Sequence, residues 1–430
     1  MTAIDPMNFA RLNHILLPST RDARDRLRQS WRWRLVTPVA WFYAVLSDEG
    51  RALAIVTLFV GTAGVQVGTT QVFVLWAGLI GLFCGSMLVR PAFGLRRVTL
   101  RVSAPPRVAA GAPMRLTLTL DNPTDTPHDA IRLRGPFLPW DGKYVTKPPR
   151  FGRLEAGGQV RDDVEATFIQ RGHHHLDPFF ASCLLPFGLI QGPTIASDGC
   201  KFLVVPRLAR VTRLTLPEAA TSRSGHRGRP QTRRDRPADA SELVGVRPYR
   251  RGDPVRDLHV RTWARTGTPH VRQYQPLRQR RVMLLVDTAV PGAGERALEA
   301  AISLAAGVAE HLVRTQLDRV VVGDEIHRLP PGRAGLDRTL DLLATAEIHR
   351  AERDPLDLVV DPVAAVIVTP SVEGRALAWL TSLEGRGVPV RLLRVAAAPW
   401  WSRTPPPPAR HPRERVVEAV DIEKGRWLTL

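Results

Sequence analysis

Two uncharged apolar runs near the start of this 430-residue chain constrain it more than any other feature. Ala52 to Gly68 reads ALAIVTLFVGTAGVQVG, and Val72 to Val89 reads VFVLWAGLIGLFCGSMLV. Each is near the lower limit of about 17 residues for a helix that crosses a bilayer. Thr69, Thr70 and Gln71 between them suit a tight turn at a membrane surface. Gly61, Gly64, Gly78, Gly81 and Gly85 would let two spans approach closely. The other reading of the same pattern is a helical hairpin buried in a soluble core. The first run starts too far into the chain for a secretory signal, and no small-residue cleavage pattern accompanies it.

Flanking charge gives an orientation. Arg21, Arg24, Arg26, Arg28, Arg32, Arg34 and Arg51 precede the runs, Arg90, Arg96, Arg97 and Arg101 follow them, and the short connection carries no charge. Positive-inside bias therefore predicts a two-span membrane protein, with both termini and the soluble domains cytoplasmic. Cys183 and Cys200 are then expected as free thiols. Trp31, Trp33 and Trp41 lie among the arginines of residues 25–46. That stretch is either an interfacial amphipathic helix, divided at Pro38, or a disordered basic tail.

Lys plus Arg total 60 against 41 Asp plus Glu, a formal charge of +19, and the only lysines are Lys143, Lys147, Lys201 and Lys424. An arginine excess of this size points to an acidic partner: nucleic acid, anionic lipid or an acidic protein face. Three cysteines exclude a disulfide-stapled scaffold.

The soluble part divides by periodicity. From residue 96 to 213, segments such as VTLRVSAP and MRLTLTLDNP alternate apolar and polar residues and end at Pro or Asn-Pro. Several short strands at such spacing predict an immunoglobulin-like β-sandwich. Residues 214–244 are rich in Arg, Ser, Gly and Pro and read as a linker. Residues 245–398 hold an alternation of apolar strands (VMLLVDT, DRVVVGD, AAVIVTP, VPVRLLRV) and helix-period segments, which predicts an α/β sheet covered on both faces. Residues 399–430 are a Pro-rich linker and a tail whose last part returns as an extra strand. The fold expected is thus multidomain: a basic tail (1–51), a transmembrane helical hairpin (52–89), the sandwich and the α/β domain.

Gly245 to Tyr274 reads GVRPYRRGDPVRDLHVRTWARTGTPHVRQY. It resembles the signature of the bacterial family called domain of unknown function 58, in which Arg-x-Tyr is followed by Gly-Asp-Pro, an Arg, and an aromatic-containing stretch ending in Ala-Arg. Arg247, Tyr249, Gly252, Asp253, Pro254, Arg256, Trp263, Ala264 and Arg265 carry the resemblance; Val260 replaces a usual aromatic. Gly188 in LPFGLI matches a second family motif, with Leu185 in place of its Asp. The resemblance implies an α/β domain similar to von Willebrand factor type A domains. It also implies a membrane anchor and work beside a MoxR-type AAA+ ATPase, with other membrane proteins of the same operon as further partners. Bottom-up, Asp253-Pro254 reads as a helix start capped by Asp253. Gly252 supplies a positive φ before it, and Arg256 and Arg265 supply bidentate donors. The motif is then either a structural clasp, with Asp253 and Arg256 inside it, or a docking surface presented by Arg250 and Arg251.

Candidate chemistry is sparse. In a type A domain an Asp-x-Ser-x-Ser loop after the first strand binds Mg²⁺ through hard oxygen ligands. Here Asp287 and Thr288 open that loop, but Ala289 and Pro291 occupy the hydroxyl positions, so the site is degenerate and no metal or other cofactor is expected. On a strand, His173 and His175 share a face, but nothing at recognised spacing completes a zinc site. There is no Walker phosphate loop and no GxSxG elbow, and no nucleic-acid module accompanies the arginines. The reading is a non-catalytic, membrane-anchored scaffold or adaptor for a AAA+ ATPase, in contact with membrane lipid and not with nucleic acid. Its rival is a hydrolytic or metal-dependent enzyme at the strand ends near Asp287.

Overall fold

The computed structural model describes residues 41–64, 70–184, 187–216, 241–253, 255–276, 282–288, 294–313, 317–347, 364–371, 374–397 and 408–430. Most of the linker, the Arg-rich tail before residue 41 and the loop at 289–293 lie outside them. The architecture is mixed α/β and multidomain, and the chain divides into two compact units between Arg207 and Leu208.

The first unit opens with helices α1 (Asp48–Gly64) and α2 (Thr70–Val89). Among the described residues one helical stretch, Val72–Phe93, is long and apolar enough to cross a membrane. It comprises α2 and a 3-10 turn, Arg90–Phe93. Phe73, Val74, Leu75 and Leu88 on it are exposed, unlike the side chains of a soluble core helix. The run expected from Ala52 to Gly68 is helical as far as Gly64 and then leaves the described residues. The two helices touch at Gly61, where an added Cβ would lie 2.4 Å from Trp76 Nε1.

Eleven short strands follow: β1 (Thr99–Ser103), β2 (Arg107–Ala109), β3 (Pro113–Asp121), β4 (His128–Arg134), β5 (Gly142–Tyr144), β6 (Arg150–Leu154), β7 (Gln159–Phe168), β8 (Gly172–Leu176), β9 (Phe180–Cys183), β10 (Ile195–Ala196) and β11 (Cys200–Val205). They form sheets of order β1-β3-β7-β5, β10-β9-β4-β6 and β2-β11-β8. Alternation explains why. Met114, Leu116, Leu118 and Leu120 of β3 all point inward. They share one core with Val164 and Phe168 of β7, Ile131 and Leu133 of β4, and Phe202 and Val204 of β11. His173 and His175 project outward as alternation predicts, while His174 between them turns inward. There its imidazole stacks on Phe202 and lies 2.9 Å from the buried Asp141 carboxylate.

The second unit begins with β12 (Val211–Arg213) and continues with β13 (Ser241–Pro248), α3 (Val260–Thr266) and β14 (His270–Pro276). Then come β15 (Val282–Val286), α4 (Glu295–Val313), β16 (Leu317–Val322), β17 (Glu325–Arg328), α5 (Arg333–Ala344), β18 (Ala364–Thr369), α6 (Arg375–Gly385), β19 (Val390–Ala396), β20 (Glu414–Glu418), α7 (Ala419–Glu423) and β21 (Leu428–Thr429). Six strands make a sheet of order β17-β16-β15-β18-β19-β20. All its neighbours are parallel except the edge pair β16–β17. Every residue of β15 and β18 is buried, as continuous apolar runs in a two-sided parallel sheet must be. Met283, Leu285, Ala365 and Ile367 face α6, whose Trp379 is fully buried; the alternate residues take the other face. The tail does return as strands: β20 extends the sheet and β21 pairs with β12.

Candidate functional site

The signature segment is an antiparallel hairpin, β13 against β14, with α3 in the connection. Arg247 sits on β13. Six residues later the chain has turned back far enough that both Arg247 guanidinium nitrogens donate to Asp253, at 2.7 Å each. Asp253 also accepts the Arg250 backbone N–H at 2.8 Å. The Arg247 pair, helped by that N–H, holds the Asp253 carboxyl below the usual carboxylate range. Gly252 has φ +107°, a conformation that only glycine adopts without strain.

This corrects the helix-start reading of Asp253. Only a 3-10 turn, Val255–Asp257, follows it. The α-helix starts at Val260, capped by His259, whose imidazole accepts the Thr262 N–H, and it ends at Gly267 in the left-handed region. Asp253 thus staples the turn to the strand before it. The bidentate donor is Arg247, where Arg256 and Arg265 were expected. Arg256 lies in the 3-10 turn; Arg265 is exposed and forms no ion pair among the described residues. Tyr249 donates its backbone N–H to Pro269 O, which ties the turn to the start of β14. Arg250 and Arg251 are exposed. So are Val255, Val260 and Trp263 at 71 %, 67 % and 42 %, and α3 buries none of its residues. A rigid turn therefore carries arginines and apolar side chains outward together.

The second candidate lies at the carboxyl ends of the sheet strands. β15 is the first strand of the sheet and has β16 on one side and β18 on the other, so the chain reverses its direction of winding between β15 and β18. In open α/β sheets the crevice at such a switch point is where ligands bind. Asp287 and Thr288 follow β15, and Thr369 ends β18; all three are buried. The Thr369 hydroxyl, with its one proton, has two acceptors in reach, Ser371 O at 2.5 Å and Asp287 Oδ2 at 3.2 Å, and Asp287 N–H donates to Val368 O at 2.9 Å. Ser371 N–H donates to Thr369 Oγ1. The strand ends thus bring together a carboxylate and hydroxyls, and Asp287 is already engaged by Thr369. Ala289 and Pro291 lie outside the described residues, and no cluster of three His, Cys, Asp or Glu suited to a metal occurs among the described ones. Thr369 closes the apolar run AAVIVTP and Ser371 follows it, but the bonding of Thr369 to Asp287 and to Ser371 is not legible in the sequence.

A third constellation surrounds the foot of the helices. The turn after β9 contains Phe187 and Gly188, the latter at φ +71°. It lays Leu189, Ile190 and Gln191 against the chain entering α1. Ser47 N–H donates to Leu189 O at 2.9 Å and Gln191 N–H to Val45 O at 2.8 Å. The Gln191 amide reaches Leu46 O, and Arg90 Nε, just past α2, reaches Gln191 O at 2.8 Å. Val45, Leu46, Leu189 and Ile190 form a small separate core with Leu53, Leu82 and Met87. Asp48 and Glu49, in the first turn of α1, pair with Arg132 and Arg150 of the sandwich. The Gly188 motif is therefore a joint between helices and sandwich.

Residues 245–366 match the family model described as "Protein of unknown function DUF58". No curated protein matches the chain. Among solved structures, native α2-macroglobulin of E. coli is 21 % identical with a TM-score of 0.21, over 26 % of this chain and 7 % of that one. A fragment of the same protein, from domain MG7 to its C-terminus, is 20 % identical with a TM-score of 0.22, over 28 % of this chain and 18 % of that one. A GH20 exo-β-N-acetylglucosaminidase from Vibrio harveyi is 11 % identical with a TM-score of 0.17, over 52 % of this chain and 29 % of that one. The chain spans less than a fifth of the α2-macroglobulin chains and less than a third of the glycosidase. Likenesses this slight fix neither fold nor activity.

Proposed function

We propose that this chain is a non-catalytic, membrane-anchored adaptor, and that its signature hairpin docks the acidic face of a partner ATPase of the MoxR-type AAA+ class. In this reading α1 and α2 span the bacterial inner membrane as a hairpin with both chain ends cytoplasmic. The β-sandwich is immunoglobulin-like and acts as a stalk. The α/β domain is a von Willebrand factor type A-like domain that has lost its metal loop, since Ala289 and Pro291 offer no side-chain oxygen.

One observation carries the reading. The Arg247–Asp253 pair fixes the turn, yet Arg250, Arg251, Val255, Val260 and Trp263 on it remain exposed. A clasp that served only the fold would turn its apolar side chains inward. Arginine and an aromatic on a rigid support are what protein interfaces use as anchors. The test is capture of a co-encoded AAA+ ATPase by the detergent-solubilised full chain. Arg250→Glu with Arg251→Glu should abolish capture without moving the melting temperature, because reversing exposed charges acts on association more than on folding. Undiminished capture would remove the hairpin from the function.

The bonded cluster of Asp287, Thr369 and Ser371, with Thr288 next to it in the chain, supports the rival reading, an enzyme or metal site at the switch point. A site-specific heat of Mg²⁺ or Mn²⁺ binding that disappears in Asp287→Ala would favour it over the adaptor.

A further inference from the structure

The foot of the helices holds a cluster that the joint does not account for. Residues 41–45 are helical, and Trp41, Phe42 and Tyr43 on them are 49 %, 43 % and 59 % exposed. Two arginines lie against these rings: Arg51 Cζ is 4.0 Å from the Tyr43 centroid and Arg90 Cζ 5.9 Å from that of Trp41. Arg96 and Arg97 follow closely, both exposed and without an ion pair among the described residues. Arg97 is held at φ +62°, a conformation rare for a side-chain-bearing residue. Phe187, from the joint, is 62 % exposed. The acids of this region are already used: Asp48 pairs with Arg51 and Arg132, and Glu49 with Arg132 and Arg150.

Location and charge select the occupant. Arg90, Arg96 and Arg97 come directly after the helix whose apolar side chains are exposed along its length. Aromatic rings with a polar edge, next to arginines, at the end of such a helix match the headgroup region of a bilayer. There the rings sit between hydrocarbon and water and the cations meet phosphate. An acidic protein face would complement the arginines as well, but it gives no reason for Leu88 and Val89, directly before Arg90, to be exposed.

We infer that Arg96 and Arg97, with Arg90 and the Trp41 ring it lies against, form a docking surface for anionic phospholipid headgroups. This deepens the proposed function and rests on its membrane anchor. The surface would tie the sandwich stalk to the leaflet, at a place set by lipid charge.

The test uses the full chain in neutral detergent, titrated with short-chain phosphatidylglycerol, with short-chain phosphatidylcholine and with inorganic phosphate. Binding is read by native mass spectrometry and by melting temperature. Phosphatidylglycerol should bind saturably and raise the melting temperature; the other two should not. Arg96→Gln with Arg97→Gln should weaken that binding about 25-fold, or about 5-fold per arginine, and leave the lipid-free melting temperature unchanged. Trp41→Ala, which removes an exposed ring, should also weaken it several-fold and serves if the arginine variant misfolds. Equal affinity for phosphatidylcholine, or undiminished binding in the variants, would overturn the inference while leaving the anchor standing. Release of the chain from native membranes by a carbonate wash would overturn the anchor and the inference with it.

Discussion

Replacing Gly50 by alanine should destabilise the protein, although local propensity says the opposite. Gly50 lies in the first turn of α1, where Gly→Ala ordinarily stabilises a helix by about 0.5–1 kcal/mol. Here an added Cβ would sit 2.0 Å from Leu189 O and 2.9 Å from Leu189 C, where ordinary contact begins at 3.4 Å. Both obstacles are backbone, so no side chain can swing aside; the turn after β9 has to back off by more than an ångström. That movement breaks the Ser47–Leu189 and Gln191–Val45 hydrogen bonds and opens the pairing of Leu46 with Ile190. At about 1 kcal/mol for each lost bond, and somewhat more for uncovering Leu46 and Ile190, the net cost is about 2–3 kcal/mol. The first thermal transition in detergent should then fall by roughly 4–12 °C. Gly81→Ala, with open space around its Cβ position, is the control and should not fall. A Gly50→Ala protein that melts at or above the wild-type temperature would show that the turn is not seated on the helix, and the joint would have to be abandoned.

Other expectations follow from particular contacts. His174 is half-buried, which by itself pushes its pKa down, but the Asp141 carboxylate and Gly172 O outweigh burial and raise it. A raised histidine pKa means a stabilising contribution present below about pH 6.5 and lost as pH rises through the folded value. The sandwich should therefore melt higher at pH 6 than at pH 8.5, and Asp141→Asn should flatten that difference. Trp379→Ala empties the fully buried centre of α6, under Arg375 at 4.7 Å, and should cost about 3–5 kcal/mol by denaturant titration. Asp253→Asn keeps the shape but removes the charge and leaves one of the two acceptors that face Arg247. It should loosen the turn, seen as faster amide exchange at Arg250, while the β15–β18 core stays protected. Cysteine labelling in intact cells should place residues just before Ala52 and just after Val89 on the cytoplasmic side; periplasmic labelling after Val89 would reverse the orientation proposed.

Much of the framework was legible because burial leaves a periodic mark. The alternation in β3 and the unbroken apolar runs of β15 and β18 each demanded one kind of strand, and each is that strand. What escaped was pairing between distant residues. Asp253 followed by Pro254 has the local form of a helix cap, and only the hairpin register brings Arg247 round to claim the carboxylate. The pairing of His174 with Asp141 left no mark, because Asp141 is 33 residues away, in the turn before β5. Leu189 and Ile190 carried no sign that they would meet Leu46, since their partner lies across the whole sandwich in sequence. The strand-end cluster was half visible: Asp287 and Thr369 close apolar strands, but that the strands are neighbours is a property of the sheet order.

An adaptor needs a contact face, and the braced, exposed turn at Arg250 and Arg251 is the one proposed. The direct measurement is the equilibrium affinity of the detergent-solubilised chain for the co-encoded AAA+ ATPase, at 50 mM and 300 mM salt. Wild type should bind and weaken several-fold at the higher salt. Arg250→Glu with Arg251→Glu should bind at least tenfold more weakly at 50 mM, with little further dependence on salt. Equal affinities for the two proteins, with the same salt dependence, would contradict the adaptor reading at the residues on which it rests.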